Sequence, residues 1–305
     1  MARIIFLGTS DFALPILNKL TNNKYNIVSV FTKPPQKSKR GQKILKSAIH
    51  QFAEKHSLNI QTPHKIKDDL EFIKNSKIDL GIVVAYGQLI PIEVLNSCKF
   101  GFINIHASLL PNHRGAAPIQ RSLINLDEKT GISFMKINES LDSGPVFNCY
   151  EITIERIDNY VTLSKKLSLL AADTVIKNIE LILSKQAKFI QQNHENATYA
   201  KKIEKIEGKI NWNEDARKII GKINGLFPNP GAWFIFNNER YKILSSEISK
   251  VIGKPGYVLD DNLTVGCGNN SIKIKEVQRQ GKRPQNTKEF LLGSKIKKGS
   301  SLNDE

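Results

Sequence analysis

The sequence predicts an α/β protein: an open, mostly parallel, doubly wound sheet followed by a smaller β-barrel of oligonucleotide-binding type. In the first third of the chain, short runs rich in Ile, Val and Phe alternate with stretches of helical period, the rhythm of strand–helix–strand crossovers. After residue 207 the apolar runs are short and separated by turn residues, as in a small barrel. A length of 305 residues exceeds most single compact domains, so two cores are expected.

The runs at 3–7 and 27–32 read as strands flanking a helix at 11–20. A helix at 44–56, a strand at 60–62, a helix at 68–75 and a strand at 80–85 continue the pattern, which calls for helices on both faces of a parallel sheet. A strand at 102–106 follows, then partly antiparallel strands at 130–137 and 146–154, and one long amphipathic helix at 162–183. Residues 184–205 are polar and irregular, the composition of a linker. The expected division is therefore 1–189 for the first domain, 190–206 for the linker and 207–305 for the second domain. In the second, 210–224 reads as a strand end and a helix that the prolines of FPNPGAW terminate. Strands are expected at 232–236, 241–248, 256–259, 263–266 and 271–277, and KIKKGSSLNDE reads as a frayed tail.

With 40% hydrophobic and 24% charged residues, the composition excludes wholesale disorder. The start, MARIIFLGTSDF, lacks a leader's apolar core, and no run reaches the roughly 18 apolar residues of a membrane span, so a cytoplasmic protein is expected. Cys98, Cys149 and Cys267 form no CxxC pair; they read as small buried apolar residues, with neither a disulfide framework nor a metal site. A net charge of +16 has a polyanionic partner as its simplest cause, with lysine-rich composition bias as the competing one. The run KPPQKSKRGQKILK carries Lys33, Lys37, Lys39, Arg40, Lys43 and Lys46 without an acidic residue, and charges that dense stay solvated. It follows the expected second strand and can project from the same sheet edge that carries the strand ends.

Chemistry concentrates in GFINIHASLLPNHRGAAPIQRSL, residues 101–123. Alternation puts Phe102, Asn104 and His106 on one face of a strand, so an amide and an imidazole point the same way. Taken alone, such a pair reads as satisfied polar residues at a strand end. The small residues Gly115, Ala116 and Ala117 permit close approach of a ligand to the backbone, and Asp142 sits in the turn LDSGP, from which a carboxylate can face the strand.

Together, Asn104, His106, SLLPNHRGAAP and LDSGPV resemble the signature of the folate-dependent formyltransferases. The match runs from RIIFLGTSDFA through VVAYGQLIP to ATYAKKI and FPNPGAW, nearly the whole chain. The resemblance implies transfer of a formyl group from 10-formyltetrahydrofolate to an amine, without a metal. Asn104 and His106 would then hydrogen-bond the oxyanion of the tetrahedral adduct, and Asp142 would orient His106 and accept the proton the amine loses. It assigns folate binding to Ser108, Leu109, Leu110 and Pro111, with Gln88, Leu89 and Ile90 beside them. It also places the loop of Lys37, Lys39, Arg40 and Lys43 against the acceptor end of initiator methionyl-tRNA; on the second domain, positive residues such as Lys209 and Lys242 read by their charge as a phosphate-tracking surface, and a monomer is expected. The Asn-x-His core specifies the reaction more strongly than the acceptor. A glycinamide ribonucleotide or an amino sugar nucleotide is the alternative acceptor, and a non-catalytic nucleic-acid-binding protein the alternative class. The basic loop and the extra domain weigh against the first, the Asn–His–Asp set against the second.

Overall fold

The apolar runs of the first third become strands of one seven-stranded sheet. The structure, a computed structural model, describes residues 1–37 and 44–303. In chain order its elements are β1 (Arg3–Gly8), α1 (Leu14–Asn22), β2 (Asn26–Phe31), β3 (Gln36–Lys37), β4 (Ile44–Leu45), α2 (Ala48–Lys55), β5 (Ile60–Gln61), α3 (Leu70–Asn75), β6 (Leu80–Val84) and α4 (Ile92–Leu95). There follow β7 (Phe102–His106), α5 (Pro118–Ile124), β8 (Lys129–Lys136), β9 (Val146–Thr153), α6 (Tyr160–Leu183), α7 (Ala216–Leu226), β10 (Ala232–Phe236), β11 (Glu239–Ser249), β12 (Thr264–Gly266), β13 (Ser271–Arg279), β14 (Gln285–Asn286) and α8 (Thr287–Gly293). Two compact units result: Met1–Gly115, Thr130–Ile152 and Ser164–Tyr199 form the first, and Ala116–Lys129, Thr153–Leu163 and Ala200–Glu305 the second.

In the first unit the strand order is β5-β2-β1-β6-β7-β8-β9. The pairs from β5 to β7 are parallel, and β8 runs antiparallel to β7. β6 is buried throughout and β1 in all but its first residue, as central strands covered on both faces must be. On α6 the residues Leu167, Ala171, Val175, Ile179 and Ile182 form a buried stripe at helical spacing. No helix among the described residues is long and apolar enough to cross a membrane.

The second unit holds an antiparallel half-barrel, β10-β11-β13-β12, with β14 pairing β13. Register shifts between Ile243 and Ser246 bend β11, the means by which a flat ladder curls. Asn237 and Asn238, at φ +50 and +59, make the two-residue turn joining β10 to β11.

Several expectations need correction. The first two residues of the expected helix at 44–56 pair as β4 with β3, and the helix starts only after Ser47, whose hydroxyl accepts the His50 N–H at 3.0 Å. Residues 256–259 form no strand: Tyr257 and Val258 make isolated bridges only. The expected frayed tail is anchored, because Ile296 and Leu302 are buried and the Leu302 carbonyl accepts the Trp212 indole N–H at 3.1 Å. Cys149 is exposed, unlike Cys98 and Cys267.

Candidate active site

Strand β7 sets the direction of the site and a loop brings the carboxylate. Because β8 is antiparallel to β7, with Ile103 opposite Lys136, the chain leaves β8 at the amino end of β7. The loop then folds back across the β7 face, which carries Phe102, Asn104 and His106. Asp142 is seated at φ +45, a left-handed conformation that non-glycine residues adopt at a cost. Two residues on, Gly144 is obligatory: a Cβ there would lie 1.9 Å from the Lys136 carbonyl oxygen.

The three groups converge. Asn104 Nδ2 donates to Asp142 Oδ1 at 3.4 Å, while His106 Nδ1 faces Asp142 Oδ2 at 3.7 Å. The Gly115 N–H donates to the same Oδ2 at 2.9 Å. His106 Nε2 donates to the His113 carbonyl at 3.0 Å, so Nδ1 is the nitrogen turned toward the carboxylate. The His106 side chain is 6% exposed and that of Asp142 16%. At 3.4 and 3.7 Å the contacts to the carboxylate are longer than tight hydrogen bonds, which leaves both nitrogens able to serve a second oxygen.

The other expected residues are placed as follows. Ser108 is buried, its hydroxyl spent on the Asn112 carbonyl, and the Leu110 N–H donates to Ser133 Oγ. Leu109 and Pro111 are half-buried. Gln88 pins its own loop, donating to the Pro63 carbonyl and accepting the Ile66 N–H, while Leu89 is exposed and Ile90 packs on the first unit's core. Lys39, Arg40 and Lys43 lie outside the described residues, and Lys37 closes β3. Lys209 is exposed, and Lys242 is half-buried, its pKa lowered by that burial and by nearby Arg240.

Beside Phe102 opens a cavity of about 400 Å³, lined by apolar Ile92, Leu95 and Ile137 and by polar Lys136, Asn138 and Glu139. Cys98 also lines it; burial pushes its thiol up to about 12, so it is a neutral wall and not a nucleophile. None of the seven residues expected to bind folate lines this cavity.

Four further residues brace the site: Arg114, Ser133, Gln192 and Thr198. Gln192 donates to the carbonyls of Asp142 and Gly144, and Thr198 Oγ1 accepts the His113 N–H. Gln192 and Thr198 lie in the polar stretch after α6, where composition reads as linker; Thr198 falls within ATYAKKI, whereas nothing local marks Gln192.

Comparison with known proteins identifies the family. A family model described as formyl transferase matches residues 2–179, and one described as formyl transferase, C-terminal domain, matches 202–295. The chain is 55% identical over 304 residues to a methionyl-tRNA formyltransferase of Pelagibacter ubique, covering 98% of each chain. Among solved structures, an N-formyltransferase from Helicobacter canadensis in complex with folinic acid and dTDP-3-aminofucose shares the fold. The TM-score is 0.72 at 19% identity, over 92% of this chain and all of that one. A methionyl-tRNA formyltransferase from Clostridium thermocellum shares it at TM-score 0.58 and 18% identity, over 82% of this chain and 94% of that one.

Proposed function

Because the chain belongs to the methionyl-tRNA formyltransferases, we propose that Asn104, His106 and Asp142 are its catalytic groups. The enzyme transfers the formyl group of 10-formyltetrahydrofolate to the α-amino group of methionine on initiator methionyl-tRNA, giving N-formylmethionyl-tRNA for translation initiation. One observation carries the assignment of groups: an amide and an imidazole nitrogen meet on the two oxygens of a single carboxylate, at 3.4 and 3.7 Å.

Donors aimed at one anionic centre suit the tetrahedral intermediate. The neutral amine attacks the formyl carbon, and the carbonyl electron pair moves onto oxygen. Asn104 Nδ2–H and the Nδ1–H of a protonated His106, whose Nε2–H stays with the His113 carbonyl, bind that oxyanion in a site already largely closed to water. The new ammonium passes its proton to Asp142, directly or through a water. As the bond from carbon to N10 breaks, N10 takes up the proton held by Asp142, leaving tetrahydrofolate, the formylated amine and the carboxylate restored. Esterification to tRNA lowers the amine's pKa and so supplies more of the nucleophilic form near neutral pH.

The cavity beside Phe102 suits the pterin end of the folate, flat and apolar on its faces and polar at its edge. Phe102 and Asn104 are two residues apart on one strand face, about 7 Å, which spans from that cavity toward the reacting centre. The loop of Ser108, Leu109, Leu110 and Pro111, with Gln88, Leu89 and Ile90, borders the rest of the folate; 86% exposure of Leu89 supports this. Lys37, Lys39, Arg40 and Lys43 follow the acceptor arm of the tRNA, joined by Lys209 and Lys242. Residues 1–189 thus carry catalysis and 207–305 tRNA contact, with 190–206 joining them. The enzyme works in the cytosol as a monomer, which light scattering would test. The function is tested by comparing charged initiator tRNA with free methionine as acceptors of the formyl group from 10-formyltetrahydrofolate. Rapid transfer to the charged tRNA alone is expected, and equal rates would refute the tRNA-dependent reading.

A further inference from the structure

The segment 192–198 holds both halves of the catalytic set from behind. We propose that Gln192 and Thr198 are positioning residues, Gln192 for Asp142 and Thr198 for His106; this rests on the formyl-transfer reading of the site.

Gln192 is 7% exposed. Its Oε1 accepts from Arg114 Nε at 3.0 Å and Nη2 at 2.7 Å, and its Nε2 donates to the carbonyls of Asp142 at 3.0 Å and Gly144 at 2.7 Å. A guanidinium only donates and a carbonyl only accepts, so the amide has one orientation here. The two carbonyls flank Ser143, in the turn that holds Asp142 at φ +45. Gln192 therefore clamps the backbone whose strained conformation aims the carboxylate at Asn104 and His106.

Thr198 acts on the other half. Its Oγ1 accepts the His113 N–H at 2.8 Å, its carbonyl accepts the Arg114 N–H at 2.8 Å, and its own N–H donates to the Pro111 carbonyl at 3.3 Å. His113, itself at φ +57, offers its carbonyl to His106 Nε2 at 3.0 Å. The ring orientation of His106 thus depends on a peptide that Thr198 fixes. Arg114, 2% exposed, ties the two clamps together through its side chain and its backbone.

Gln192→Glu keeps the shape and the acceptor for Arg114, but turns an oxygen toward two carbonyls. In the full chain, assayed with charged initiator tRNA and 10-formyltetrahydrofolate, it is expected to lower kcat about 10- to 100-fold, the cost of a small misplacement, with KM changed less than about twofold. In an Asp142→Asn background the same change should remove less than about threefold more, because a residue acting through Asp142 has nothing left to position. Equal losses in both backgrounds, or an unchanged kcat, would overturn the role of Gln192. Thr198 is exposed, so its variants leave the core intact. Thr198→Val should lower kcat and displace its pH profile while Thr198→Ser restores both; identical behaviour of the two would overturn its role. If Gln192→Glu fails to fold, the Thr198 pair decides for the segment. Wild-type enzyme that does not formylate charged tRNA, or His106→Ala that turns over normally, would instead sink the reading of the site itself.

Discussion

At His106 every neighbour has a separable effect. The strand alternation fixes the face on which its ring stands, the His113 carbonyl takes Nε2, and Asp142 faces Nδ1. Asn104 adds a second nitrogen to the same carboxylate. If these nitrogens bind a developing oxyanion, then removing either one costs transition-state stabilisation and little ground-state binding. His106→Ala and Asn104→Ala should each lower kcat by about 10²- to 10³-fold, roughly 2.7–4 kcal/mol. The affinity for charged tRNA, measured by filter binding, should stay within about twofold. A loss confined to KM would show that the two residues bind substrate without stabilising the oxyanion.

Among the elements, the pairing of α5 with α7 in the second unit tolerates no added side chain at its two glycines. A Cβ added at Gly221 of α7 would meet the Leu123 carbonyl oxygen at 2.8 Å and Leu126 Cδ2 at 2.7 Å; at Gly225 it would meet the Gln120 carbonyl oxygen at 2.8 Å. Alanine raises helix propensity over glycine by about 1 kcal/mol, whereas overpacking costs about 1–3 kcal/mol. A backbone carbonyl in a packed helix cannot swing aside like a flexible side chain, so the overpacking prevails. Gly221→Ala is expected to lower Tm by about 2–6 °C in calorimetry. A raised Tm would mean that α5 yields to α7 at little cost.

Over the whole molecule the charge balance governs the response to acid. The chain carries 45 Lys and Arg against 29 Asp and Glu, so each carboxylate that protonates deepens a positive excess. Glu207 is one that matters, since hydrogen bonds from Arg121 hold its pKa below the ordinary 4.5 despite opposing burial. A lowered folded pKa contributes stability that is present above the unfolded value and fades as pH falls through the folded one. The Tm difference between wild type and Glu207→Gln should therefore be constant from pH 7 to about 5, shrink below about 4.5, and vanish once the pH is below the lowered folded pKa, where both carry a neutral side chain. A difference that persists unchanged at pH 3 would show that the Arg121 contact does not depend on charge.

Local pattern determined most strands of the parallel sheet, the long helix α6, and the common face of Asn104 and His106, while it missed α4, α5 and α8 and misread 44–45 and 256–259. Periodicity and turn chemistry are properties of a few consecutive residues, so a single sequence carries them in full. Only the tertiary structure decided that Asp142 reaches that face, because the path of its loop depends on β8 pairing antiparallel with β7. It likewise seated Gln192 against Asp142 across 50 residues and Thr198 against His113 across 85. It also drew α5 into the second unit and buried Leu302 in a tail of polar composition. Contacts at such separations follow from which surfaces meet after folding, and no short stretch of residues encodes its distant partner.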